Sequence, residues 1–375
     1  MTPNKRLIRI SKFFGRIYRS SYYLSIVFSR KAWLIDGLKI KKQKSKDYLI
    51  DKSSVHKIWH GIRINRAWLK FYNSIERGEN RGFDARYLPL DIQYCFIDDW
   101  FNNTESALIL DDKNMYDMFF YDVRRPKTIA RIISHQFFDE DYTTLSIEEV
   151  LDRCFEQKRV ILKPTVGTSG GRGIEFWQEE DGYDALRVSL ESKDNYIIQE
   201  VIRQHQEIKS IYADSINSIR IVTCHYKGKT NVLSAVIRMG SNGSKLDNAS
   251  QGGLFCGIND DGTLKKYAYT KTGEAILVHP QGSVFSECRI PNYDKCKELV
   301  IRLSNRFLRI SKLISWDLAI GEDGLPVLIE VNLCYGGTDI HQIANGPLYG
   351  DKTEEILDQV FRKRSKYSFV NKFVH

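Results

Sequence analysis

From residue 159 onward the chain reads as short β-type runs, at 160–162, 174–177, 196–199, 219–226, 231–239, 316–320 and 327–331, rich in Val, Ile, Leu and aromatic residues. Helical spacing interrupts them at 183–191 and 294–313, and Lys227-Gly228-Lys229 predicts a hairpin turn between two of the runs. Earlier, 62–76 has the period of an amphipathic helix and 111–120 predicts a helix with an acidic first turn, while the stretch between them is irregular. Strands and helices mix without a strict β-α alternation, which predicts an α+β fold rather than a doubly wound parallel sheet. The chain shows no internal repeat and no low-complexity tract.

The N-terminus has a different texture. Residues 7–19 place Arg9, Lys12, Arg16 and Arg19 on one side of a helix and Leu7, Ile10, Phe13, Phe14 and Ile17 on the other, with Tyr22 and Tyr23 following. Such a basic amphipathic helix lies on an anionic membrane surface or docks its apolar side on its own protein. The lysines at 39, 41, 42, 44 and 46 predict a solvated linker, and a boundary falls near residue 60. The net charge of +9 conceals this asymmetry. Residues 1–60 hold 15 Lys and Arg against three Asp, so the remaining chain is slightly acidic. That distribution argues against a nucleic-acid groove in the main body.

With 375 residues and 42% apolar content, two or three domains with real cores are expected. The longest charge-free apolar run, 22–28, is far too short to span a bilayer, and no small-residue cleavage site follows it. Seven cysteines without a C-x-x-C pair read as reduced thiols. The expected location is cytoplasmic, peripheral on the inner face of the membrane if residues 1–60 bind lipid.

Four constellations carry candidate chemistry. In the first, 315–320 and 325–332 form a hairpin about the turn Gly321-Glu322-Asp323-Gly324. Pairing residue 320 with 325 sets Asp317 opposite Leu328, with Glu330 and Asn332 on the same face, and leaves Trp316, Leu318, Ile320, Leu325, Val327, Ile329 and Val331 for the core. Two carboxylates and an amide suit Mg²⁺, or else form a solvated surface. The second is Val160-Ile161-Leu162-Lys163-Pro164 followed by Gly167-Thr168-Ser169-Gly170-Gly171-Arg172-Gly173. This is not a Walker loop; it is either an ordinary turn or a flap whose backbone N–H groups cover phosphates. The third, Gln199-Glu200-Val201-Ile202, follows an apolar run as an adenine slot would, and as a buried strand would too. In the fourth, Arg220 and Arg238 stand on neighbouring strands before a polar loop from Ser241 to Gly253, which includes Asn248, Gly252 and Gly253. They suit an anionic substrate or are merely solvated.

Taken in order, these segments resemble the ATP-grasp superfamily, and Asn217-Ser218-Ile219-Arg220, Arg238-Met239-Gly240-Ser241-Asn242-Gly243-Ser244, Asp247-Asn248 and Gln251-Gly252-Gly253 resemble its sugar-transfer-associated branch. The resemblance spans about 110–351. It implies two α/β lobes whose antiparallel sheets sandwich ATP, with a helical basic N-terminal region outside them. Its implied boundaries are a pre-domain at 61–110, a first lobe at 111–203, a second at 204–352 and a C-terminal tail at 353–375. It places nucleotide on Lys113, Lys163, Gly170, Gly171, Gly173, Gln199, Glu200, Val201 and Ile202. The metal, Mg²⁺ with Mn²⁺ as a substitute, goes to Asp317, Glu330 and Asn332. Catalysis goes to Arg220, Arg238 and Lys163, and the substrate loop to Asn248, Gly252 and Gly253. Asp317 departs from the Glu found in many members, as in the D-alanine ligase type.

The implied reaction is ATP-dependent joining of a carboxylate to an amine through an acylphosphate, on a small-molecule or sugar-linked substrate of cell-surface polysaccharide synthesis. The alternatives are a kinase acting on a sugar or lipid hydroxyl, and a membrane-peripheral adaptor with a vestigial ATP site; no nucleic acid is expected. His56 and His60, at i,i+4, form a zinc pair lacking a third ligand pattern, and Asp98-Asp99 and Asp111-Asp112 read as solvated helix starts.

Overall fold

The structure is a computed structural model that describes residues 48–60, 62, 64–76, 82–166 and 170–362. The amphipathic segment 7–19, the lysine cluster and residues 167–169 of the glycine run lie outside the described residues. Two compact units emerge: one from the residues up to 102 with 272–275 and those from 337 on, the other from 103–271 and 276–336.

The first unit is helical. Asp51 and Asn65 cap Lys52–Trp59 and Arg66–Asn73 through their side-chain oxygens. Contrary to the irregular stretch expected before residue 111, Leu90–Ile92, a π-helical turn Gln93–Ile97 and Asp98–Phe101 run on as one helical stretch. Its residues from Leu90 to Asp98 are buried on every side, so no amphipathic stripe marks it in the sequence. Asp98 is not a solvated helix start: it is 4% exposed and accepts a 2.7 Å hydrogen bond from Gln93 Nε2. In the helix Thr338–Asn345, Gln342 bonds both the N–H and the C=O of Leu88, at 2.7 and 2.9 Å.

The second unit holds two antiparallel sheets, the α+β arrangement expected. The first sheet comprises β1 (Thr128–Ile133), β2 (Gln136–Phe138), β3 (Thr144–Leu145), β4 (Arg159–Pro164), β5 (Glu175–Gln178) and β6 (Tyr196–Glu200), in the order β3-β2-β1-β6-β4-β5. Helices Ile147–Gln157 and Tyr183–Glu191 cover one face, setting Val150, Leu151, Cys154, Leu186 and Leu190 against Ile132, Val160, Leu162 and Ile198. Because side chains alternate along a strand, Lys163 and Gln199 project from the uncovered face.

The second sheet comprises β7 (Ser218–Tyr226), β8 (Lys229–Met239), β9 (Leu254–Ile258), β10 (Leu264–Tyr269), β11 (Ala275–Ile276), β12 (Leu313–Ile320) and β13 (Pro326–Asn332), in the order β11-β10-β9-β8-β7-β12-β13. The helix Tyr293–Arg306 packs Cys296, Val300 and Leu303 onto a face made of Ile219, Ile221, Ile237, Trp316, Leu318, Leu328 and Val331. The opposite face carries the charged residues considered next, among buried apolar neighbours such as Val236 and Phe255.

Two helix limits differ from expectation. The helix expected at 294–313 stops at Arg306, because Leu313 and Ile314, which continue its apolar spacing, open β12 instead. The helix expected at 111–120 is a helix Thr104–Asp111, a break at Asp112, a 3₁₀ turn Lys113–Met115 and a short helix Tyr116–Phe119. Asp112 makes the break by accepting from the Asn114 N–H at 2.9 Å.

Candidate functional site

The hairpin of β12 and β13 does not take the expected register. Ile320 pairs with Pro326, Leu318 with Leu328 and Asp317 with Glu330, so Ile329 is an extra residue bulged out of the ladder. Leu328 therefore joins Leu318 in the cluster beneath the helix, while Val327 is buried outside that cluster and Ile329 is half-buried. The bulge sets Asp317 and Glu330 directly across from each other, and Ser315 across from Asn332. On its other side Asp317 pairs with Arg220 of β7, and Ser218 of β7 pairs with Arg238 of β8. Glu330, Asp317 and Arg220 thus form one charged row across three strands, and Ser218 with Arg238 lies two residues along on β7 and β8.

Its charges are tightly coupled. Asp317 is 1% exposed and accepts from Arg220 Nε at 2.7 Å and Arg220 Nη2 at 2.6 Å, and from Arg238 Nη2 at 3.0 Å. Burial works against the Arg220 charge, yet Asp317, with Glu330 and Asp247 beyond it, outweighs that and holds the guanidinium pKa above its ordinary value. Arg238 also donates to Ser218 Oγ, from Nε at 3.0 Å and Nη2 at 2.6 Å.

Lys113, at the start of its 3₁₀ turn, places Nζ 2.7 Å from Glu330 Oε1. Lys163, near the end of β4, is buried and donates to Gln199 Oε1 at 3.2 Å. Burial pushes its ammonium down to about 8, helped by the charge of Lys113 and opposed by Glu330 and Asp247. Asp111, expected to be solvated, is half-buried, and burial followed by the Glu330 charge pushes it up to about 6.

The segment expected to read adenine divides in two. Gln199 sits inside the ladder, between Thr128 of β1 and Ile161 of β4, and its side chain holds Lys163. The strand ends at Glu200, whose Oε1 accepts from the Lys127 N–H at 3.0 Å, and Val201 and Ile202 follow outside the ladder, half-buried. At the flap, Gly173 has φ +76°, and a Cβ there would lie 2.9 Å from Pro164 Cγ. Gly170 and Gly171 approach the loop after β8, where Gln251 Nε2 donates to the Gly170 carbonyl at 2.6 Å. Within that loop Asn248 accepts from the Ser250 N–H at 2.8 Å. Gly252 lies in left-handed backbone, and a Cβ on Gly253 would come within 2.8 Å of the Met239 carbonyl oxygen.

Ser218 and Asp247 belong to the segments that carry the resemblance but have no site role in the sequence reading, although Ser218 stands two residues before Arg220 and so on the same face. His56 and His60 meet ring edge to ring face, 5.0 Å apart, in the other unit.

As a metal site the row is chemically apt. Asp317, Glu330 and Asn332 offer hard oxygen donors, those of Asp317 accepting here from Arg220 and Arg238, while the buried Asn332 Nδ2, an N–H donor that makes no hydrogen bond within the protein, suits an anionic oxygen rather than a cation. Four cations, Lys113, Lys163, Arg220 and Arg238, surround these donors and suit a polyanion.

A family described as sugar-transfer associated ATP-grasp matches residues 96–356. No curated protein matches the chain. Among solved structures, the biotin carboxylase domain of Hydrogenobacter thermophilus 2-oxoglutarate carboxylase, in complex with MgADP, ADP and bicarbonate, is 13% identical. Its TM-score is 0.37, covering 62% of this chain and 42% of that one. An L-amino acid ligase from Bacillus licheniformis has 13% identity and a TM-score of 0.37, covering 62% and 43%. The D-alanyl-alanine synthetase A of Vibrio cholerae has 15% identity and a TM-score of 0.38, covering 73% and 66%. The chain spans less than half the length of the first two.

Proposed function

Because the chain belongs to the sugar-transfer associated ATP-grasp family, we propose that it is an ATP-dependent carboxylate-amine ligase acting on a sugar acid or amino acid of cell-surface polysaccharide synthesis. The observation that carries this reading is the cluster of Arg238, Ser218, Arg220, Asp317 and Glu330 on one sheet face, joined by Lys113 and by Lys163 from the other sheet.

Phosphoryl transfer to a carboxylate brings two anions together, and fixed cations lower that barrier. Lys113, Lys163 and the two arginines hold the phosphates, while the Gly170–Gly173 segment covers them. Mg²⁺, with Mn²⁺ as a substitute, would be held by Glu330 and Asn332 with Asp317, and when bound it neutralises phosphate charge. The acceptor carboxylate oxygen attacks the γ-phosphorus and ADP leaves. An amine nitrogen then attacks the acylphosphate carbonyl, loses its proton, and phosphate departs. The loop of Asn248, Gly252 and Gly253 keeps water from the acylphosphate meanwhile. No nucleophile triad is needed, because positioning and charge neutralisation suffice.

Among the described residues no helix is long and apolar enough to cross a membrane. Contact with an anionic membrane surface is assigned to the basic segment 1–60.

The test incubates the purified protein with ATP, Mg²⁺ and pools of uronic acids and amino acids, following phosphate release and product mass. An amide together with ADP and phosphate supports the ligase. A phosphorylated product with ADP alone makes the protein a kinase, and silence from every pool while nucleotide binds overturns the ligase.

A further inference from the structure

The loop after β8 carries a single carboxylate, Asp247, and the fold draws it into the cation cluster. Ser218 Oγ donates its proton to Asp247 Oδ2. Arg238 Nη2 lies 3.5 Å from the same oxygen. Lys163 and Arg220 both feel the Asp247 charge. Ser218 is 2% exposed and serves as a relay, accepting from Arg238 on one side and donating to Asp247 on the other.

Other side chains also hold this loop. Ser241 Oγ donates to the Gly252 carbonyl at 2.6 Å, joining its two ends, and the Tyr212 hydroxyl donates to the Ser244 carbonyl at 2.9 Å within it. Asp247 places an anion against a buried hydroxyl and a guanidinium, beside two further cations. A carboxylate in that position mimics an anionic ligand group.

From this we infer that Ser218 and Arg238 form an anion subsite, filled by Asp247 in this structure, whose ligand is a reacting anionic oxygen group: the acceptor's carboxylate or the phosphoryl group of the nucleotide. The inference rests on the ligase reading and names the part of the site where the two reacting anions meet. Binding there displaces Asp247, and because the loop also meets the flap through Gln251 and Gly170, displacement frees the loop to close again over the bound substrate. A site filled by the protein's own side chain binds its ligand more weakly, by the fraction of molecules in which it stands open.

Removing the carboxylate should therefore tighten binding, a gain that loss of a merely structural residue does not produce. Asp247→Asn and Asp247→Ala in the full chain would be titrated calorimetrically with ATP and with ADP in Mg²⁺, and with acetate added to the ADP complex. The expected gain is about ten-fold in one arm. Tighter ATP with unchanged ADP assigns the subsite to the transferred phosphoryl group, and tighter acetate assigns it to the acceptor carboxylate. Unchanged or weaker binding in both arms, with both variants folded and the wild type binding nucleotide, overturns this inference alone. A wild-type protein that binds no nucleotide overturns it together with the ligase reading.

Discussion

Lys113 and Glu330 meet with Nζ 2.7 Å from Oε1, one from a short 3₁₀ turn and the other from the last strand of the second sheet. The pair leaves each charge partly accessible, with side-chain exposures of 14% and 30%, so either partner can turn to a ligand. Lys113→Met should weaken ATP binding about ten-fold or more, because one charge-assisted contact to phosphate is lost. Glu330→Gln should instead raise the Mg²⁺ concentration needed for half-maximal activity while changing metal-free nucleotide affinity less. Equal effects of the two variants on metal-free binding would contradict the division of roles.

Lys163 predicts a pH dependence. Its ammonium is pushed down to about 8 by burial and Lys113, so nucleotide affinity should fall as pH rises from 7 to 9 and the charge is lost. For stability the sign is opposite. The folded value lies below the ordinary value of 10.5, so between about 8 and 10.5 the unfolded chain holds a proton that the folded one has released, and the contribution of Lys163 to stability rises with pH. Lys163→Arg should flatten the alkaline fall in affinity, read from nucleotide titrations across that range.

Asp317 compensates two guanidiniums within a buried row. Asp317→Ala should cost about 3–5 kcal/mol, the usual result of stripping one partner from a buried ion pair. Arg220→Met, which removes a charge and keeps the volume, should cost less. Urea unfolding midpoints of the two variants provide the comparison.

Gly253 predicts uncoupling. A Cβ there meets the backbone carbonyl oxygens of Met239 and Asn248 at 2.8 and 2.9 Å, neither of which can swing aside as a side chain would. Gly253→Ala should leave nucleotide binding near wild type but let water reach the reactive intermediate, so phosphate release exceeds amide formation. Parallel phosphate and amide measurements check it, and a constant ratio of the two would count against a shielding loop.

The strands that alternate in the sequence are those whose two faces meet different surroundings. Core residues Ile219 and Ile221 flank Arg220, and Trp316 and Leu318 flank Asp317, so these strands were legible. Other strands were not. β9 is buried at every position, and β1 carries Arg131 at 0% exposure amid its apolar residues. That guanidinium donates to the Asn114 carbonyl at 2.6 Å and to Asp117, and lies 4.1 Å from the Tyr142 ring, partners that no local pattern announces. The helix Ile147–Gln157 has a local start signal, since Ser146 and Glu149 form a capping box at its acidic first turn.

What the sequence determined by itself is the chemistry available: the residue types, their order, and the strand on which Lys163, Arg220, Arg238, Asp317 and Glu330 each sit, because side-chain periodicity is a local property of the backbone. Tertiary structure decided which of them meet. The bulge at Ile329 set Asp317 across from Glu330, the turn capped by Asp112 brought Lys113 to that pair, and the path of the loop after β8 delivered Asp247 to Ser218. Each of these depends on packing and charge pairing between segments far apart in the chain, where the free energy of a contact depends on partners that local spacing cannot specify.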